Sequence, residues 1–103
     1  MTDGNGLQVV DNEPASRFEV RADGEVAELI YRRVGKRLVL VHTGVPDALG
    51  GRGIGGQLVQ AAVDEAAASG MTIVPLCPYA RAWLERHPDQ AGLVSIDWAD
   101  HRR

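Results

Sequence analysis

The chain predicts an α+β fold, an antiparallel meander leading into one βαβ unit with a short C-terminal helix, and three observations carry that prediction. Apolar segments separated by turn signals at short intervals fill the first half. From Ile54 to Ser69 the apolar positions switch to three- and four-residue steps. A short apolar run, Met71 to Leu76, then follows the amphipathic stretch; with a helix crossing between, it should lie parallel to the strand before the helix.

Taken in order, Leu7 to Val10 is a short strand candidate closed by Asp11, Asn12, Glu13 and Pro14. Arg17 to Ala22 alternates Phe18 and Val20 with Arg17, Glu19 and Arg21, and Asp23-Gly24 is a tight hairpin signal. Glu25 to Val34 reads as the next strand, with mixed parity, before a turn at Gly35 and Lys36. Leu38 to Val41 is a continuous apolar run into His42, Thr43, Gly44 and Val45, as expected of a central strand covered on both sides, and Pro46 ends it. The helix Ile54 to Ser69 sets Leu58, Val59, Ala62, Val63 and Ala66 on one side and stops at Gly70. Pro75 falls inside the Met71 to Leu76 strand, where it removes a ladder hydrogen bond, so that strand is either an edge or parts from its neighbour. Pro78 opens a second helix through Ala80, Trp83, Leu84 and His87, with Trp83 assigned to the core, and Pro88 ends it. Leu93 to Trp98 is a candidate last strand.

Composition narrows the function. A length of 103 residues suits one domain and one core, and 45% hydrophobic with 24% charged residues is the balance of a globular chain. No apolar run approaches the roughly 20 residues that span a bilayer, and Met1 to Gly6 carries no signal-peptide pattern, so a cytoplasmic location without membrane attachment is expected. A net charge of −3 with scattered basic pairs argues against a nucleic-acid partner. Cys77 is the single cysteine, which excludes an intrachain disulfide and a multi-cysteine zinc site, and no metal is expected.

Between the central strand and the long helix, Gly50-Gly51-Arg52-Gly53-Ile54-Gly55-Gly56 holds five glycines in seven positions. None of its residues is a Ser, Thr, Asp or Asn that would cap the helix, so the backbone N–H groups of the first turn are left for a ligand. An anion there gains those amides and the positive end of the helix dipole, and Arg52 adds a charge-assisted contact. The plainer alternative is a turn that needs positive φ angles. The P-loop pattern fails because Gln57 and Leu58 stand where Lys and Ser or Thr are required. The string from Gly51 to Gly56 satisfies G-x-G-x-x-G, yet no acid occurs across Met71 to Cys77, and the chain is too short for a doubly wound fold.

Val45-Pro46, the glycine loop with Gly53 and Gly55, and the meander and βαβ unit around them resemble the GNAT N-acetyltransferases, whose CoA-binding motif reads Arg/Gln-x-x-Gly-x-Gly/Ala. More narrowly, His42-Thr43-x-Val45-Pro46, Pro75-Leu76-Cys77-Pro78-Tyr79 and Arg86-His87-Pro88 are similar to the small single-domain members with a characteristic cysteine. The resemblance implies a GNAT-like domain over residues 7–90, between a flexible segment at 1–6 and a strand or tail at 91–103. It also implies acetyl-CoA as co-substrate, lying between two splayed parallel strands against Thr43, Val45, Gly51, Arg52, Gly53, Ile54, Gly55 and Gly56. Two positions depart from the family pattern: Gly50 stands in the Arg/Gln place, and Gly44 stands where small members carry an acid.

Acetyl transfer to an amine needs an uncharged amine, a polarised thioester carbonyl and a proton for the departing thiolate. His42, with a natural pKa near 6.5, is the candidate base, or else a sheet histidine. Cys77, at the head of the second helix where the dipole favours a thiolate, is a candidate acid or nucleophile, or a buried structural thiol. Tyr79 is a second candidate acid by the resemblance, or a half-buried aromatic. The expected activity is N-acetylation of a small-molecule or peptide amine; the alternative is a non-catalytic acyl-CoA binding or sensing module. A monomer or weak homodimer is expected.

Overall fold

The computed structural model describes residues 8–98; the expectations for residues 1–6, for Leu7 and for the end of the 91–103 segment lie outside the described residues. Six strands form one mixed sheet in sequence order: β1 (Val10–Asn12), β2 (Arg17–Ala22), β3 (Glu25–Val34), β4 (Arg37–Gly44), β5 (Thr72–Pro75) and β6 (Ser95–Ile96). The first four are antiparallel neighbours, and β5 and β6 add parallel to β4. Among the described residues the α-helices are α1 (Ile54–Ser69), α2 (Pro78–Arg86) and α3 (Pro88–Ala91).

Most elements fall where the sequence puts them, and the exceptions have physical causes. The first strand runs two residues further than expected, to Asn12, and leaves out Gln8 and Val9, because Asp11 accepts a 2.5 Å hydrogen bond from the Tyr31 hydroxyl and Asp11 and Asn12 pair with Phe18 and Arg17. The β2–β3 hairpin turns through Asp23 and Gly24 at φ 53° and 76°, the paired positive angles of a tight two-residue loop. The chain beyond α2 forms the extra turn α3, since Pro88 ends one helix and is well suited to begin the next.

The two crossovers, β4–α1–β5 and β5–α2–β6, step across the sheet in one direction, so their right-handedness places both helices on one face. That face holds the core: Phe18, Val20, Ala27, Leu29, Tyr31, Leu38, Leu40 and Ile73 from the strands meet Leu58, Val59, Ala62, Val63 and Ala66 from α1 and Ala80, Trp83 and Leu84 from α2. The opposite face of the meander carries no helix among the described residues, and it is polar, with Arg17, Glu19, Arg21 and Glu28. The expectation of a β4 covered on both sides is therefore corrected. Leu38 and Leu40 are fully buried against the helices, whereas Val41 is 39% exposed.

Candidate active site

A cleft begins where β4 and β5 part. Their pairing ends at Leu40 opposite Pro75, and the Leu40 carbonyl accepts two N–H groups, from Leu76 at 3.1 Å and from Cys77 at 2.9 Å. Pro75 has no N–H with which to extend the ladder, so β5 turns into α2 while β4 continues to Gly44. Parting, rather than an edge position, is thus the consequence of this proline, because β6 pairs with β5 on its other side.

A bulge sets which β4 side chains face the cleft. Tyr31 pairs with Leu40 but Ile30 pairs with His42, which leaves Val41 as the extra residue. Alternation is shifted past it: Leu40 and Thr43 both face the helices, whereas His42 and Gly44 face the polar side with Ile30 and Glu28. The Thr43 hydroxyl consequently lies 3.3 Å from Cys77 Sγ, tying the free wall of β4 to the head of α2.

The opposite wall is the glycine loop. Leu49, fully buried at the end of the short turn Asp47–Leu49, anchors it, and Gly51 and Gly53 follow at φ 80° and 73°. Gly53 is the N-cap of α1 with no side-chain cap, and the Gln57 N–H to Gly53 carbonyl bond at 3.1 Å is the first helical one. The amides ahead of Gln57 therefore front a space of about 420 Å³ between the loop, Thr43, Val45 and Tyr79. An anion is favoured there by the oriented N–H groups and the helix dipole. A Cβ added at Gly51 or Gly53 would meet nothing within 4 Å, so the backbone there is open to a ligand, although their positive φ alone accounts for the glycines.

Two further glycines have a different cause. A Cβ at Gly55 would stand 2.6 Å from the Tyr79 hydroxyl, and one at Gly56 would stand 2.7 Å from Trp83 Nε1. Close approach of α2 to the first turn of α1 requires both, so the density of glycine is not a signature of phosphate alone. The same approach that demands Gly55 holds Tyr79, 41% exposed, on the rim of the cleft.

The structure gathers Thr43, Val45, Gly51, Gly53, Ile54, Gly55 and Tyr79 around one space, with Cys77 behind Thr43. Cys77 is 3% exposed and Trp83 is buried and stacked on His87 at 4.0 Å. Three expected participants lie elsewhere. His42 is on the polar face of β4, displaced from the cleft by the bulge, and Arg52 is turned outward to Asp23 of the hairpin at 2.6 Å. Gly56 faces Trp83 rather than the cleft. Glu28, which crosses from β3 to Gly44, was not singled out from sequence; its strand has mixed parity, and only the register shows what it faces. Among the described residues no His, Cys, Asp or Glu gather as a metal-binding group, and no helix is long and apolar enough to cross a membrane.

Splayed parallel strands beside an uncapped, glycine-rich helix head define the fold class to which this site belongs. The chain belongs to the GCN5-related N-acetyltransferase family, whose sequence pattern matches residues 17–93, and membership supports acyltransferase chemistry. Among its relatives, Protein NATD1 of Gallus gallus is 38% identical over 88 residues, covering 82% of this chain and 80% of the relative. Protein NATD1 of Homo sapiens is 36% identical over 88 residues, covering 82% and 78%. The solution structure of a GCN5-like protein from Staphylococcus aureus superimposes with a TM-score of 0.68 at 29% identity, covering 94% of this chain and 97% of the other.

Proposed function

We propose that the protein transfers the acetyl group of acetyl-CoA to an amine, by direct attack of the amine on the thioester. The observation that carries this reading is the pairing of the uncapped α1 head with the gap between β4 and β5, which offers an anion site and an apolar-walled slot in one 420 Å³ space. The loop amides of Gly51 to Gly55 would hold the diphosphate, and Val45, Ile54 and Thr43 would line the slot.

In the reaction a nitrogen–carbon bond forms and the carbon–sulfur bond breaks; a first proton leaves the ammonium before attack, and a second, lost by the nitrogen as the amide forms, is matched by the one that the departing thiolate takes up, so that one proton is released net. Tyr79, on the rim with its hydroxyl against Gly55, is placed to give the thiolate its proton. His42, at the end of the same strand as Thr43, takes the first from the polar side. Direct attack is favoured over an acetyl-cysteine relay because Cys77 is buried and its sulfur is engaged by Thr43. The acceptor is a small-molecule or peptide amine; the proposed setting is the cytoplasm, with the protein a monomer or weak homodimer that binds neither nucleic acid nor membrane.

Incubation with radiolabelled acetyl-CoA and a panel of amines tests this reading, which expects label on at least one amine in a protein-dependent, saturable reaction. CoA binding with no transfer to any member of the panel would favour an acyl-CoA binding or sensing module instead.

A further inference from the structure

Gly44 is a glycine that backbone geometry does not require, since its φ lies outside the left-handed region. What surrounds it is informative. A Cβ at this position would meet His42 Nε2 at 3.5 Å, Glu28 Cγ at 3.8 Å and Glu28 Oε2 at 3.8 Å. A carboxylate oxygen and an imidazole nitrogen therefore converge on one small space over the end of β4, on the face away from the helices.

Glu28 is held in place, whereas the His42 ring is exposed and free to turn toward a ligand. Glu28 is fixed through its other oxygen, Oε1, which accepts a 2.7 Å bond from Arg17; Arg17 also donates to Glu19, and Glu19 is 3% exposed and accepts from Asn12 at 2.9 Å and Arg21 at 3.1 Å. That network fixes the guanidinium, which fixes Glu28 with Oε2 aimed at Gly44. Its side chain keeps 26% of its exposure, enough for a ligand to reach. Neither ring nitrogen of His42 has a hydrogen-bond partner among the described residues.

We infer that Glu28, His42 and the bare backbone of Gly44 form the acceptor subsite, and that it takes a primary ammonium. The assignment rests on the transferase reading above. A primary ammonium has three N–H donors, and a fixed carboxylate and an imidazole on either side of its nitrogen accept two of them. Glu28 holds the cation, and His42 receives the proton that must leave before the nitrogen attacks. Thr43, between His42 and Gly44 in sequence, faces the acyl cleft, so the strand end beyond Pro75 presents the two substrates to each other from opposite faces.

Steady-state kinetics at saturating acetyl-CoA separate the outcomes, run on the best primary amine of the panel with wild type, Glu28→Gln and Gly44→Ala. Loss of one charge-assisted contact made equally in ground and transition states raises the amine KM by roughly tenfold and leaves kcat within about threefold. Gly44→Ala, whose added methyl sits at ordinary contact distance and carries no backbone strain, fills the space and raises the same KM while the thermal midpoint stays unchanged. In parallel, each primary amine of the panel is titrated into the protein while the Gly44 amide and His42 ring resonances are followed by NMR. Shifts there in wild type, lost in Glu28→Gln, sustain the subsite even if no turnover is found, in which case it is the transferase reading that fails. Turnover with an unchanged amine KM in both variants, or amine-induced shifts elsewhere only, overturns the assignment.

Discussion

Gly55 and Gly56 are adjacent in the first turn of α1 and meet α2 at nearly the same distance, yet their replacement by alanine is predicted to have opposite consequences. At Gly55 the intruding methyl meets Tyr79, with the hydroxyl at 2.6 Å and ring carbons at 2.8 and 3.0 Å. Tyr79 is 41% exposed and can rotate away, and alanine regains up to about 1 kcal/mol of helix propensity, so stability changes by less than about 1 kcal/mol. At Gly56 the methyl meets Trp83 Nε1 at 2.7 Å, and Trp83 is 8% exposed and stacked on His87. It has nowhere to go, so an overpacking cost in the upper part of the usual range, about 2–3 kcal/mol, exceeds the propensity gain of about 1 kcal/mol and leaves a net loss of about 1–2 kcal/mol. For a domain of this size the loss is roughly 5–10 °C in Tm. Function is expected to divide the other way. Gly55→Ala moves the Tyr79 hydroxyl off the cleft and lowers kcat in the acetyl-transfer assay, whereas Gly56→Ala keeps wild-type turnover well below its midpoint. Urea or thermal denaturation of both variants, with turnover at 25 °C, reads the two effects. A Gly55→Ala protein with intact stability and intact turnover would refute the placement of Tyr79 as proton donor.

Other perturbations follow from the same geometry. Cys77→Ser keeps a hydroxyl beside Thr43 but buries a more polar atom, so a stability loss of about 1–2 kcal/mol with turnover retained within roughly tenfold is expected. The intact mass of wild type after acetyl-CoA alone should stay unchanged, and a stoichiometric acetyl adduct would revive the relay. Arg52→Ala removes an exposed ion pair with Asp23, so denaturation should show a change of no more than about 0.5 kcal/mol, while a fall in CoA affinity would mean that Arg52 leaves Asp23 for the ligand. Tyr31 provides a pH test. Its phenol is pushed up from 10.0 to about 12, first by burial and then by its bond to Asp11. A raised value means the neutral form is favoured in the fold, so its contribution is complete below pH 10.0 and is lost as pH rises through about 12. The stability difference between wild type and Tyr31→Phe should therefore shrink above about pH 10, and a constant difference would contradict the buried tyrosine–aspartate bond.

The sequence was most legible where one residue type answers one backbone need. Asp23-Gly24 marked a hairpin, Gly70 a helix stop and Pro75 a broken ladder, and each does so in the structure. The helix Ile54–Ser69 was readable to the residue because its apolar stripe and its flanking glycines agree. Legibility ended where side-chain direction depends on pairing. The bulge at Val41 has no signature in an apolar run, and it is what sends Thr43 to the cleft and His42 away from it. Glycine is ambiguous for a related reason: from sequence, a glycine beside a ligand and a glycine beside a packed aromatic are identical, and only the approach of Tyr79 and Trp83 distinguishes them. Glu28 and Gly44, 16 positions apart, become neighbours solely through the β3–β4 register.

Calorimetric titration with CoA, followed by amide chemical-shift mapping, tests the central claim most directly. One molecule of CoA per chain is expected to bind, with the largest shifts at Gly51 to Gly55, Thr43 and Tyr79. Absence of binding, or shifts confined to surfaces away from the head of α1, would contradict it.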